Sequence, residues 1–560
     1  MNFFYLDDTI ITRAIKMMEP SDPDHETKLI ISEEKQSMMK RLKRRWTVAC
    51  WWKRFIYLLI ALLLLGLFFL VILILVVIIR AATITVPEFA YPELFAEPAP
   101  GVDENETDKM LRAQNLAEAL KIQTVSYDDA SGENLFWQFH DLLNATFPII
   151  HSSEFITRGV FNKSSLLYKV EGENNGDKLP YLLASHMDVV PAKDVNWDFP
   201  PFAGQIEEID GDTFIYGRGT IDDKGGVMGM MEALEYMLEQ GHRPQRTFFM
   251  AFGHDEEISG RYGANAIATW LRENGYEKLD FVLDEGYFVT RELVPGADQD
   301  IALIGVTEKG AVTLKLEVEI PGSHSSFPPW ESCIGVLSEA VSKLEKKKLP
   351  SVLGDGPERY TFEYVAPYVS FGYRMVYANL WLFSGLMSKY MERDQLLNTI
   401  VRTTTALTII NGGEKSNVVP SIATAVVNHR VHPSQTIQEI IDFDIRVIDD
   451  ERVKVSVEEN RDAHPVAPFG PEDIPYHMVA ASIGQTFPNT PVVPGLMVAN
   501  TDTIWYLDFT DHIFRFFPTI MNEEDTLRYH GDNERISVNI YAKSVSFYHR
   551  IFYNADIMYQ

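Results

Sequence analysis

The hydrophobic pattern of this chain changes character twice. From Phe55 to Ile79 the run FIYLLIALLLLGLFFLVILILVVII carries no charge and exceeds the roughly 20 residues that span a bilayer. From about residue 109 the apolar positions return in shorter units. KMLRAQNLAEALKI spaces them for a helix, whereas SLLYKV and PYLLAS read as strands. GVMGMMEALEYMLEQG has an apolar face at helical spacing and a glycine stop, and strand RTFFMAF, helix GANAIATWLRENG and strand LDFVLDEG follow. This alternation predicts an α/β sheet with helices on both faces, and ligands of such sheets bind beyond the carboxyl ends of the strands.

The second change comes at about residue 308. Strand AVTLKLEVEI, helix CIGVLSEAVSKLEKK, strands TTTALTII and ATAVVNHRV, helix TIQEIIDFDIRVI and strand VKVSVEE give the order β-α-β-β-α-β. That order predicts a separate ferredoxin-like unit inserted into the first. An insertion at about 350–398, rich in aromatic and aliphatic residues, interrupts it after its first helix. The expected organisation is a tail over 1–54, the apolar span 55–79, a Pro-rich acidic stalk 80–108, a first catalytic segment 109–307, a lid 308–462 and a second catalytic segment 463–560.

Charge orients this plan. KRLKRRWTVACWWKR precedes the apolar run and acidic sequence follows Arg80, which places the N-terminus in the cytoplasm and predicts a single-pass type II membrane protein with its catalytic part lumenal or extracellular. Asn105, Asn144 and Asn162 stand in N-x-S/T triplets on the outer side, as glycosylation acceptors would. The net charge of −29 excludes nucleic acid as a partner, because phosphate backbones need a basic surface. Cys50 and Cys333 are the only cysteines. They permit neither a disulfide framework nor a thiolate zinc site, so any metal rests on His and carboxylate.

Such side chains gather at predicted strand ends. YLLASHMDVVP carries His186 and Asp188, YGRGTIDDKGG carries Asp222, FGHDEEISG carries Asp255, Glu256 and Glu257, FVLDEGY carries Asp284, and RYHGDNERI carries His530. Adjacent carboxylates at the end of a buried strand repel one another, and a divalent metal offsets that cost. Nitrogen and oxygen donors without thiolate suit zinc, with manganese or cobalt also compatible.

The series H-x-D, G-R-G-x-x-D, D-E-E, D-E-G and a late His resembles the dinuclear zinc peptidase family of aminoacylase, carnosinase and glutamate carboxypeptidase, over residues 109 to 560. The resemblance implies two zinc ions per subunit: His186, Asp222 and Asp284 on one, with Asp222 bridging to a second held also by Glu257 and His530. It makes Glu256 the general base that takes a proton from water held between the metals, and Asp188 the partner that fixes the His186 tautomer. It further implies a homodimer in which His324 reaches the neighbouring subunit's site and stabilises the oxyanion, while Asn417 and Arg430 hold the substrate carboxylate.

Within that family NLWLFSGLMSKYMER, RTTTALTIINGG, VNHRVHPSQT, NTDTIWYLDFTDHIFRFFP and HGDNERISV are similar to the branch that joins or splits fatty acids and amino acids at the amide bond. The expected substrate is therefore a small-molecule N-acyl amino acid. A carnosinase-like dipeptidase or short-chain aminoacylase is the alternative, and a non-catalytic membrane-anchored binding protein a third reading. The last would have lost a ligand or the base, and none is lost here.

Overall fold

The computed structural model describes residue 13 and residues 25–102, 105–127, 133–174 and 178–558. The chain forms two compact units, one ending at Ile79 and the other beginning at Arg80. In the first, the helix His25–Thr83 starts well before the apolar run. Residues 25–54, expected as part of a loose tail, are thus helical, as their Lys, Glu, Met and Arg content favours. Apart from Arg13, the remainder of that tail lies outside the described residues. Among the described residues one helix is long and apolar enough to cross a membrane.

The second unit holds two main sheets. Its strands are β1 (Ile156–Phe161), β2 (Ser165–Val170), β3 (Tyr181–His186), β4 (Phe248–Gly253), β5 (Val282–Thr290) and β6 (Ile301–Glu308), followed by β7 (Gly310–Glu319), β8 (Thr404–Gly412), β9 (Ile422–Val431), β10 (Val453–Arg461), β11 (Val492–Met497) and β12 (Ile513–Met521). The larger sheet has the order β1-β2-β4-β3-β5-β12-β6-β11. Its centre is parallel, with β4 and β5 flanking β3, and its β1–β2 edge is antiparallel. Helices Lys224–Glu239 and Val538–Ile557 pack in the core on one face, and Ala264–Glu273 packs in a separate apolar cluster. The α/β reading therefore holds, with a mixed sheet.

The smaller sheet has the order β8-β9-β7-β10, all antiparallel. β7 alternates buried and half-buried positions over nearly its whole length, so one face is sealed by helices Cys333–Lys346 and Ile437–Ile448. The second helix opens with a capping box in which Thr436 and Glu439 satisfy each other's backbone N–H groups. The insertion folds into helices Glu358–Val365, Phe371–Tyr377, Leu380–Met391 and Gln395–Ile400. These share an apolar cluster with Ile301 of β6 and Val493 of β11, which ties the insertion to the larger sheet.

The expected stalk lies against this body. Ile84 and Val86 pack on the insertion's cluster, Phe89 stacks on His477 at 4.3 Å, and Val102 N–H donates to Ser546 Oγ. Apolar residues between the prolines supply the contacts.

Where β6 leaves the larger sheet for β7, a buried polar knot closes the junction. Glu308 accepts from Arg515 Nε at 2.5 Å and from the hydroxyls of Thr501 and Thr503. Arg515 also reaches His464 Nδ1 at 2.8 Å. Burial opposes the charge on Glu308, yet Arg515 and its neighbours hold its carboxyl down at about 2. Replacing one partner leaves the other charge buried and uncompensated, which costs about 3–5 kcal/mol. Arg515→Met is therefore expected to lower the thermal midpoint sharply, and Glu308→Gln combined with Arg515→Met to recover part of the loss, both read by thermal unfolding.

Candidate active site

The site gathers the carboxyl ends of β3 and β4, Glu285 within β5 and two loops that carry Asp222 and His530, and most of its side chains are held by a traceable contact. His186 ends β3 and is buried. Its Nδ1 lies 2.9 Å from the Asp188 carbonyl oxygen and 3.4 Å from the Asp188 carboxylate, and its Nε2 lies 3.0 Å from Asp222 and 3.2 Å from Glu285. Asp188 performs a second task. Its two carboxylate oxygens accept from the backbone N–H groups of Glu256 at 3.2 Å and Glu257 at 3.1 Å, so the residue that orients the imidazole also pins the acidic turn.

That turn is a 3₁₀ segment, Glu256–Ile258, following β4. Asp255 does not face the other acids: its carboxylate accepts from Tyr262 and Gly263 N–H, each at 2.7 Å, and closes the loop. Gly260 adopts φ +62°, and a Cβ there would sit 1.9 Å from Asp502, so only glycine lets the loop pass this carboxylate. Asp222 sits in the Gly-rich loop before helix Lys224–Glu239. His530 adopts φ 52° and places Nε2 3.0 Å from Asp222 and 3.1 Å from Glu257.

Asp284 was the residue expected beside His186 and Asp222, and Glu285 occupies that place. Neighbours along a strand point to opposite faces, so only one of the pair can enter the cluster. Asp284 instead accepts from Glu285 N–H at 2.9 Å through one oxygen, and its other oxygen is buried without a hydrogen-bond partner. Burial pushes its carboxyl up to about 6.

Ligand atoms of His186, Glu256 and Glu285 lie within 4.8 Å of one another, as do those of His186, Asp222 and Glu257. Both sets offer nitrogen and oxygen donors with no thiolate, and Glu257 Oε1 is buried without a hydrogen-bond partner, as an acceptor awaiting a cation would be. Burial pushes the carboxyls of Glu256, Glu257 and Glu285 above their usual range. Burial works against charge on His186 too, but the Glu285, Asp188 and Asp222 carboxylates raise it well above an ordinary imidazole. Donating to the Asp222 and Glu257 carboxylates raises His530 to about 10. The residues fit a pair of divalent cations.

A cavity of about 540 Å³ opens from the cluster. Asp222, Glu256, Glu257, Glu285 and His530 line one end, and Arg430, Arg461 and Asn500 also face it. The remaining wall is mostly apolar, with Leu293 and Val294 after β5, Leu496 and Met497 of β11, and Phe362, Val365, Leu397 and Ile400 from the insertion, interspersed with threonines and Asp502. His324 and Asn417 do not line it. They lie on a two-stranded ribbon, where Ser323–His324 pairs with Val418–Val419 and Ser325 N–H donates to the Asn417 carbonyl. Asn105, Asn144 and Asn162 are exposed.

Two supports escaped the sequence reading. Glu534 accepts from Arg218 at 2.6 Å and from the N–H groups of Gly219, Ile221 and Asp222, binding the Asp222 loop to the turn that carries His530. Asn500 takes a hydrogen bond from Arg430 and donates to the Lys309 carbonyl at 2.8 Å. The quoted stretches contained both residues, but neither sits in a pattern that marks it as a clamp.

A model of the peptidase family M20/M25/M40 matches residues 182–554. The chain is 44% identical to N-fatty-acyl-amino acid synthase/hydrolase PM20D1 of Xenopus tropicalis, over 80% of this chain and 87% of that one. It is 40% identical to a probable carboxypeptidase S-like 2 of Dictyostelium discoideum, over 79% and 85% respectively. The crystal structure of human carnosine dipeptidase 1 shares the fold, with a TM-score of 0.57 at 13% identity, covering 84% of this chain and all of that one.

The exchange of Asp284 for Glu285 gives a direct check. Glu285→Ala is expected to lower the bound divalent metal measured by elemental analysis, whereas Asp284→Asn leaves it in place; the opposite pattern would return the ligand role to Asp284.

Proposed function

This chain belongs to the peptidase family M20/M25/M40 and is a metallo-amidohydrolase, and from that premise we propose that it hydrolyses, and can form, the amide bond of N-fatty-acyl amino acids. The observation that carries the substrate is the apolar cavity of about 540 Å³ that begins at Glu256 and runs between β11 and the insertion. Its volume falls within the range of small-molecule sites, and burying an acyl chain there removes about 0.8 kcal/mol of apolar exposure per CH₂. A dipeptide would leave most of that wall unfilled.

His186, Asp222 and Glu285 would hold one zinc ion, and Asp222, Glu257 and His530 a second. When bound, the pair supplies Lewis acidity toward the amide carbonyl and acidifies water. The protein's own part is proton handling and placement. Glu256 takes a proton from the attacking water and delivers it to the departing amine nitrogen, a task suited to a carboxyl that burial pushes upward. In the forming direction the same carboxylate takes the proton from the attacking amine. Asp188 keeps the Glu256 turn and the His186 ring in register. Arg430, steadied by Asn500, receives the substrate carboxylate.

His324 and Asn417, outside this chain's cavity, would complete the site of a second copy in a homodimer. The apolar run would anchor the enzyme as a type II membrane protein, with glycans on Asn105, Asn144 and Asn162 on the outer side.

Two measurements test this reading. Glu256→Gln is expected to lower kcat by about 10²–10⁴-fold with metal content near normal, and full activity would refute the role of Glu256. Val365→Trp, which narrows the cavity, is expected to raise KM for an N-oleoyl amino acid and spare an N-acetyl one. Turnover of dipeptides alone would overturn the substrate assignment.

A further inference from the structure

The cavity carries more positive charge than a single carboxylate uses. Arg430 of β9 and Arg461 of β10 both pair with Ala311 of β7, one from each side. Residues in one row across a sheet project from the same face, so the two arginines rise on either side of a single methyl group. Both reach the cavity wall. Arg430 is engaged by Asn500, whereas among the described residues no hydrogen bond or ion pair engages the Arg461 guanidinium. Glu308, the buried carboxylate below this row, is already taken by Arg515 and two threonine hydroxyls. The two guanidinium groups thus face the same cavity as the cluster's carboxylates, yet among the described residues Arg461 forms no hydrogen bond or ion pair with any of them, so an incoming anion meets a donor fork that is not already engaged.

Resting on the N-acyl-amino-acid reading, we propose that Arg461 recognises a second carboxylate on the amino-acid side chain, so that the favoured substrates are N-fatty-acyl derivatives of acidic amino acids, glutamate and aspartate. Arg430 and Asn500 take the α-carboxylate, and Arg461 reads the side chain from the neighbouring strand. The fixed fork of a guanidinium suits either acid. A neutral side chain of the same shape leaves Arg461 unpaired, and it is this difference that creates selectivity.

The test is a ratio of kcat/KM values for N-oleoyl-glutamate over N-oleoyl-glutamine, isosteric heads that differ in charge, measured on the full-length metal-loaded enzyme. The wild type is expected to favour the glutamate substrate about tenfold or more, the size of one charge-assisted hydrogen bond. Arg461→Gln is expected to bring the ratio close to one, mainly through KM, and Arg461→Lys to retain part of it. Arg430→Gln should lower both substrates together and leave the ratio standing. Efficient turnover of both substrates by the wild type at equal rates overturns the assignment of Arg461 and leaves the proposed reaction intact. A ratio unchanged in Arg461→Gln, with both rates lowered, means that both arginines clamp one carboxylate, and also overturns it. No turnover of any N-oleoyl amino acid overturns the inference together with the reading beneath it.

Discussion

Carboxylate crowding governs this molecule. Asp222, Glu256, Glu257 and Glu285 converge around two imidazoles, where burial opposes every charge and pushes the three glutamates up, while His186 and His530 hold Asp222 below its usual range. Little of the surrounding architecture makes sense apart from the need to hold these groups against their repulsion. Asp188 is spent on two backbone N–H groups of the acidic turn, Asp255 on two more, and Glu534 on three N–H groups of the Asp222 loop. Each support is itself an acid that accepts backbone N–H groups, with Glu534 held also by Arg218 and Asp188 lying against the His186 ring, so these acids stiffen the frame around the cluster.

The same economy separates catalysis from recognition. The cluster stands on the larger sheet, while the arginines that face it stand on the smaller one. Between them the Glu308–Arg515 knot closes the junction, and Asn500 links it to Arg430. The insertion contributes neither acid nor base to the site. Its helices supply the apolar wall, so the chemistry and the preference for a chain-bearing substrate occupy different parts of the fold and can vary independently.

Much of this was legible in the chain. Strands β7, β8, β9 and β10 and the two helices among them appear where alternation and helical spacing put them; β7 and β9 alternate between a buried and a less buried face, while β8 and β10 form the largely exposed edges. His186 and Glu257 meet at the ends of adjacent strands of the larger sheet, and the loops carrying Asp222 and His530 are brought to them by the Glu534 clamp. The choice between Asp284 and Glu285 was not legible. Both are acids within one short motif, and which enters the cluster depends on the pleat of β5, set by its pairing with β12 across more than two hundred residues. Asn500 and Glu534 were hidden for a related reason: a clamp is defined by its partner, and their partners are far away in sequence. The insertion read as apolar, but its division into helices depends on packing against Ile301 and Val493.

Strand β12 lies between β5 and β6, two strands that precede it by more than two hundred residues. A ribosome making this chain therefore releases most of the larger sheet before its central strand exists. His530 and Glu534 follow later still. Until those last residues emerge, the Asp222 loop lacks its clamp and the cluster lacks an imidazole, so a nascent or prematurely ended chain cannot assemble the centre. Such long-range pairing is slow to form and exposes apolar strand edges meanwhile. The same order of synthesis withholds the assembled centre until His530 and Glu534 have been made.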